Sequence, residues 1–186
     1  MNSILPIGTP SLRERSAPLA DQSAAGIVAD ARALTGALAA FRAEHGFGRA
    51  IAAPQIGVNR RMIALALPGW PRVITNPEIV WHSTSTMTVW DDCMCFPDLL
   101  VRVRRHESVS VAFTTLDGVR QTRERLGRAE SELIQHEIDH LDGVLSFDRA
   151  AGHNAIVSRA LFDADPAAFI ATVDFHPGRP ATEVRS

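Results

Sequence analysis

The run Gln135-His136-Glu137-Ile138-Asp139-His140 sets two imidazoles four residues apart with a carboxylate directly after the first. On a helix, positions i and i+4 share one face, so His136 and His140 can aim ring nitrogens at a single divalent ion. Glu137 then stands beside a water held there. A carboxylate in that place takes the water's proton as it attacks a carbonyl and returns it to the leaving amine. The chemistry this spacing points to is hydrolysis of an amide or ester.

A bare H-E-x-x-H also arises by chance on surface helices carrying solvated histidines, so a third ligand decides the matter. Downstream, Leu141-Asp142-Gly143-Val144-Leu145-Ser146 follows metzincin spacing as far as Gly143, but Ser146 stands where a third histidine belongs. The other protease arrangement needs a helix-borne glutamate further on, and the only later one is Glu183, among Pro, Gly and Arg. Both observations argue against a conventional zinc protease. Upstream, Asp91-Asp92-Cys93-Met94-Cys95-Phe96-Pro97 holds the chain's 2 cysteines. A thiolate with two imidazoles suits Zn, Fe(II), Co or Ni and leaves a fourth position open. The bland alternative is a pair of buried core thiols, and a disulfide between positions two apart is geometrically unpromising.

Three ordered motifs resemble those of the peptide deformylase family. Gly48-Arg49-Ala50-Ile51-Ala52-Ala53-Pro54-Gln55-Ile56-Gly57 is similar to G-x-G-x-A-A-P-Q-x-G, Asp91-Asp92-Cys93-Met94-Cys95 stands where the family reads E-G-C-L-S, and His136-Glu137-Ile138-Asp139-His140 is its H-E-x-D-H. Ile4-Leu5-Pro6-Ile7-Gly8, Thr75-Asn76-Pro77-Glu78 and Leu141-Asp142-Gly143-Val144-Leu145 add to the likeness, which covers roughly residues 4 to 149. The resemblance implies that Cys93, His136 and His140 are metal ligands and Glu137 the acid/base. It further implies that the Gln55 side-chain amide and the Met94 backbone N–H hold the carbonyl oxygen as it becomes negative. One divalent ion per chain is implied, Fe(II) as the native metal, with Zn, Ni or Co as substitutes.

Gly48, Arg49, Ala50, Asp92 and Glu132 are expected to touch substrate, and all of these but Gly48 depart from the family pattern. Ala50 adds a methyl in place of the second glycine of the first motif. Arg49 places a cation where an aliphatic residue is usual, and is read as facing either substrate or solvent. Asp92 replaces a glycine; pointing outward it changes little, pointing inward it selects a cationic substrate or repels a carboxylate. Cys95 replaces serine, as an inert core thiol, an oxidation-prone one or a competing ligand. Asp91 replaces a glutamate that in the family pairs with an arginine, for which Arg105 and Arg102 are candidates. Glu130 and Glu132 stand where apolar pocket residues are usual; Glu130 suits the first turn of a helix, and Glu132 shares a face with His136.

These motifs need a scaffold, and 186 residues is a normal length for one domain with a sizeable core. From about Ser23 to His45 an apolar stripe, Ile27, Ala31, Leu34, Leu38 and Phe41, has helical period. Strand-like runs follow at 61–67, 73–81, 84–90 and 99–104. Val109, Val111 and Phe113 alternate within 107–115, and Asp117-Gly118 signals a hairpin into 119–126. The metal-binding helix ends near Gly143. The expected fold is α+β, antiparallel sheets packed around a central HExxH helix with an N-terminal amphipathic helix. Residues 1–150 form the hydrolase domain and 151–186 an extension, with a helix over 154–162, an apolar 167–175 that packs on the domain or makes a dimer contact, and a mobile tail from Pro177.

The net charge of −2 comes with basic residues that are all arginine and nowhere densely clustered, which offers no nucleic-acid surface. No basic segment followed by an apolar stretch opens the chain, and no run approaches the roughly 18 apolar residues of a membrane span. Cytoplasmic residence is expected. The leading function is removal of formyl from the N-terminal methionine of nascent polypeptides, with transient ribosome contact, as a monomer or homodimer. The alternatives are a related amidohydrolase acting on another N-formyl or small N-acyl substrate, and a paralogue that binds metal or peptide without catalysis.

Overall fold

The alternating runs in the middle of the chain become two antiparallel sheets that enclose a single helix. A computed structural model describes residues 3–22 and 24–177. Ser23, where the first helical stripe was expected to begin, and the expected tail beyond Pro177 lie outside the described residues. Among them, no helix is long and apolar enough to cross a membrane.

Helix α1 (Ala25–His45) buries Ile27, Ala31, Leu34, Leu38 and Phe41 against β1 (Ala50–Ala52) and β2 (Met62–Leu65). These strands continue into β3 (Val73–His82), β6 (Val109–Thr115) and β7 (Arg120–Arg123), a five-stranded sheet in the order β1-β2-β3-β6-β7. The second sheet is three-stranded, β4-β5-β8, from Thr86–Asp92, Leu99–His106 and Ile156–Ser158. Helix α2 (Arg128–Leu141) packs on β1 and β3 of one sheet and β5 of the other.

The differences from the sequence expectation have local causes. β1 lies inside the first motif and, at three residues, is too short to carry a period. The run expected over 119–126 stops at Arg123 because Arg125 has φ 51, a left-handed turn that sends its N–H to Ser110 Oγ at 3.1 Å. Conversely β4 runs on to Asp92, where Asp91 and Asp92 pair with Val101 and Leu100. The helix expected over 154–162 is instead strand β8, whose ladder to β5 covers Leu99 to Val101, followed by α3 (Arg159–Ala164), capped by Ser158 Oγ accepting from Leu161 N–H at 3.2 Å. After α4 (Pro166–Ile170), Phe169, Ile170 and Val173 pack on Trp90, Leu100, Val157 and Phe162, so the apolar segment covers the outer face of the small sheet.

Alternation along β4 and β5 decides what faces α2. Met87, Val89, Val101 and Val103 turn inward into one cluster with Cys93 and Leu145. Asp91 and Arg105 lie on that same face. Arg105, buried in this apolar setting, donates to Asp91 at 2.8 Å and to Asp139 of α2, and Arg149 donates to Asp139 at 2.6 Å. The small sheet is thereby bound to the helix by ionised groups that compensate one another.

Two further contacts fix the ends of this arrangement. Leu5 N–H donates to Gln55 O at 2.8 Å and Ile7 N–H to Cys95 O at 2.9 Å, so the leading segment joins the first motif to the second. Past the end of α2, Gly143 has φ +73, and a Cβ there would stand 2.4 Å from the Arg13 carbonyl oxygen. Gly143→Ala is therefore expected to cost about 2 kcal/mol or more in urea unfolding, from backbone strain plus this contact. Arg105→Met removes the cation between two buried carboxylates and leaves Asp91 with His136 and Asp139 with Arg149, so an equilibrium unfolding measurement should show a loss of about 3 kcal/mol, the low end for breaking a buried ion pair.

Candidate active site

Helix α2 is buried from Ser131 through Leu141, although much of that stretch is polar. Each buried polar group away from the cleft has a partner, as burial demands. Ser131 Oγ donates to His106 O at 3.0 Å, Gln135 accepts from His106 N–H at 2.9 Å, and Asp139 holds Arg105 and Arg149. The exceptions are Glu137 Oε2 and His140 Nδ1, buried without a hydrogen-bond partner. His136 and His140 are only 6% and 2% exposed, which removes the reading of a surface helix with solvated histidines.

Cys93 Sγ, at the turn leaving β4, meets both rings. The possible ligand atoms of Cys93, His136 and His140 all lie within 4.8 Å of one another. His140 Nε2 is 3.2 Å from Cys93 Sγ and 3.2 Å from His136 Nε2. On the far side of its ring, His136 Nδ1 contacts Asp91 at 2.9 Å. A carboxylate behind an imidazole fixes the ring's tautomer and leaves the other nitrogen as a donor to a metal. Ser146, where metzincin spacing asks for a histidine, contributes a hydroxyl to Asp91 at 3.2 Å. One thiol, two convergent imidazole nitrogens and an oriented ring fit a divalent cation.

The electrostatics follow from burial and pairing. Burial opposes ionisation of Asp91, but His136 and Arg105 outweigh it and hold the carboxyl well below the usual range. Burial lowers His136, yet Asp91 carries it up to about 9. His140 falls well below its ordinary value through burial and the neighbouring His136 charge. Burial pushes Glu137 up to about 7, against the pull of His136. Burial and the adjacent Cys95 hold the Cys93 thiol well above its ordinary value, whereas the hydrogen bond from Cys93 lowers Cys95. A bound cation reverses the first of these, because a coordinating thiol gives up its proton.

Gln55 is oriented by its own backbone: Oε1 accepts from Ala52 N–H at 2.7 Å, leaving Nε2 3.6 Å from the sulfurs of Cys93 and Cys95. The Met94 N–H, in the turn after Cys93, has no hydrogen-bond partner among the described residues. Gln55 and Met94 both line one cleft, a cavity of about 630 Å³ that Glu137 and His136 also line. Gly48, Arg49, Ala50, Asp92 and Glu132 line it too, while His140 sits behind. At Gly48, with φ +109, a Cβ would come 2.5 Å from Met94 Cε.

The substituted positions are built differently from the simplest sequence readings. Arg49 is half-buried, with its side chain 34% exposed, and is not a free surface cation: it pairs with the buried Glu132 and donates to Ala129 O at 2.9 Å. Burial raises Glu132, and Arg49 offsets part of that. Asp92 pairs with Arg159 at 3.0 Å. Glu130 accepts from Trp70 Nε1 at 2.7 Å, besides standing in the helix's first turn. The Ala50 methyl packs in the core with Leu133 and Ile134. Cys95 is buried in the small sheet's core and is not within the ligand cluster. Of the two arginines weighed for Asp91, Arg105 makes the contact, whereas Arg102 donates to the carbonyls of Ala151 and His153. Sequence reading missed Arg159, Phe162 and His176 as cavity residues. They follow the last motif and carry no spacing signal.

Comparison with known proteins bears on the family and the fold. The Polypeptide deformylase family model matches residues 1–155. Peptide deformylase of Thermotoga neapolitana is 34% identical over 105 residues, 56% of this chain, and that match spans 63% of the relative's own length. Peptide deformylase 2 of Nostoc sp. is 31% identical over 156 residues, 78% of this chain and 84% of the relative. The crystal structure of peptide deformylase from Thermotoga maritima superposes with a TM-score of 0.72 at 28% identity, covering 82% of this chain and 99% of that one. With a family model matched over most of its length and the fold shared, this chain belongs to the polypeptide deformylase family.

Proposed function

We propose that this chain is a metal-dependent amide hydrolase that removes the N-formyl group from the N-terminal methionine of nascent polypeptides. The observation that carries the reading is the convergence of Cys93, His136 and His140 beside the unpartnered Glu137 Oε2 in one cleft. Residues 1–150 are read as the hydrolase domain, with α2 as its metal-bearing centre.

Cys93, His136 and His140 would hold a divalent ion, Fe(II) by family likeness, with Zn, Ni or Co able to occupy the same donors. Bound there, the ion supplies Lewis acidity toward a carbonyl and lowers the pKa of water. Asp91 keeps His136 in the tautomer that leaves Nε2 free of a proton. Glu137 Oε2 accepts a proton from the water that attacks the formyl carbon. As the C–N bond breaks, the same oxygen returns that proton to the departing amine nitrogen, giving formate and a free N-terminus. Gln55 Nε2 and the Met94 N–H donate to the formyl oxygen while it carries negative charge, each worth about 3 to 4 kcal/mol where such donors are preorganised.

The Arg49–Glu132 pair bears on the first side chain. Because Glu132 is compensated by Arg49, it does not call for a cationic partner. Leu133 and Leu67 remain as apolar lining, which suits methionine. Residence in the cytoplasm, with transient contact to the ribosome where such substrates emerge, goes with this activity.

Formate release from formyl-Met-Ala-Ser, by protein purified without oxygen and loaded with Fe(II), Ni or Co, tests the assignment. Rapid release is expected; full metal occupancy with no formate would overturn it. Glu137→Gln should keep its metal and lose at least about a hundredfold in kcat, the scale of a general acid/base contribution. Elemental analysis of Cys93→Ala should show most metal lost while Cys95→Ala retains it; the opposite pattern would mean the wrong thiol has been assigned.

A further inference from the structure

The family model ends at residue 155, yet three residues beyond that point, Arg159, Phe162 and His176, line the same cavity as Gln55, His136 and Glu137. Strand β8 brings the chain back along β5, and α3 begins where the small sheet borders the cleft. The segment is held there by Phe162, which is buried edge-on to Trp90 and stacks on His176.

Arg159 spans the outer part of the cleft. Its Nε donates to Pro97 O at 2.6 Å, Nη2 to Asp92 at 3.0 Å, and its guanidinium lies 4.2 Å over the Phe47 ring. It thus touches the segment leading into β1, the end of β4 and the turn after the cysteines. Nη1 has no hydrogen-bond partner among the described residues, and the side chain is 25% exposed. Arg42 lines the same cavity, and its guanidinium has no ion-pair partner among the described residues. The acids nearby are already engaged: Asp92 with Arg159, Glu132 with Arg49 and Asp91 with Arg105. Apart from Glu137 at the inner end, no acid lining the cavity is left unpaired, and the outer cleft keeps planar guanidinium donors, Arg159 Nη1 and the Arg42 head, that no acid among the described residues fills.

We propose that Arg159, supported by Arg42, is a specificity-determining residue that favours substrates bearing a carboxylate close to the formylated residue. This rests on the proposed deformylase function. The carboxylate's source is either the C-terminus of a short formylated peptide or an acidic side chain at the second position. Guanidinium forks match carboxylates in two parallel hydrogen bonds, whereas an amide at the same place offers one acceptor and no charge.

The experiment compares formyl-Met-Ala, formyl-Met-Ala-amide and formyl-Met-Asp-amide on the metal-loaded enzyme, with calorimetric binding of the products Met-Ala and Met-Ala-amide read separately. Formyl-Met-Ala is expected to exceed its amide about fivefold to tenfold in kcat/KM, mainly through KM, the range for a hydrogen-bonded charge at a partly open site. That ratio should fall toward one in 0.5 M salt and in Arg159→Met. Asp92→Asn, which removes the competing carboxylate, should raise the ratio. A purely bracing role for Arg159 would make both variants move the same way. Acceleration by formyl-Met-Asp-amide alone assigns the side-chain source, and by formyl-Met-Ala alone the C-terminal source. Equal rates for all three, or a ratio unmoved by Arg159→Met, overturn the inference and leave the deformylase function standing. No formate from any of them, with Met-Ala still bound more tightly than its amide, overturns the function and keeps the carboxylate site.

Discussion

The structure turns on a helix that is buried and polar at once. From Ser131 to Leu141, α2 is enclosed by both sheets while carrying Glu132, His136, Glu137, Asp139 and His140. Ionised groups removed from water are tolerable only when each meets a compensating partner. That requirement explains the chain of contacts from His136 to Asp91, Arg105, Asp139 and Arg149, which crosses from the helix to the small sheet and back. Each inner member holds two charges opposite to its own, one on either side, so this network ties the small sheet to the helix. On the helix, Glu137 Oε2 and His140 Nδ1 are the buried atoms left without partners, and Glu137 lines the cleft.

Strand register converts this requirement into geometry. Asp91 lies opposite Val101 in the β4–β5 ladder, and the alternation that buries Met87 and Val89 turns Asp91 to the same side. One residue further, Asp92 faces the other way, toward Arg159. The turn beginning at Cys93, closed by Phe96 N–H to Cys93 O at 3.1 Å, then brings Sγ under His140. A register shift of one residue would exchange the roles of Asp91 and Asp92 and leave His136 without its carboxylate. The short strand β4 thus matters to the site as much as the helix does.

What was legible in the sequence had either a period or a motif. The spacing of Ile27, Ala31, Leu34, Leu38 and Phe41 is helical, and those side chains are the buried face of α1. The alternation of Val109, Val111 and Phe113 and the turn at Asp117-Gly118 likewise have their counterparts in β6 and the hairpin that follows. Residues singled out from the three motifs meet around one cleft. What stayed hidden depends on tertiary pairing. Ile156 to Ser158 becomes a strand only because β5 offers an open edge, although Asn154 to Phe162 reads locally as a helix. Arg49 reads as a surface cation until Glu132, 83 positions later in the chain, is folded against it. Arg159 lies beyond every motif and gains its place only through that edge strand.

Three of the charged departures from the family pattern, Arg49, Asp92 and Glu132, sit in compensated pairs, and this bears on what the chain does. Arg49 and Glu132 both differ from what the family resemblance leads one to expect, and they contact each other. Asp92, standing in place of a glycine, meets Arg159 from the segment past the family match. A cleft released from catalytic duty would be free to fill with apolar residues or to accumulate isolated charges, the latter at a cost in stability. Here the added acids Asp92 and Glu132 each have an arginine against them and Glu130 has the Trp70 N–H, while the groups proposed to carry out hydrolysis, Gln55, Cys93, His136, Glu137 and His140, are all present. Paired charges in the walls alter which substrates fit without altering the atoms that would act on the formyl carbon. That combination is the physical pattern of a hydrolase retuned at its walls, and it weighs against a paralogue that merely binds.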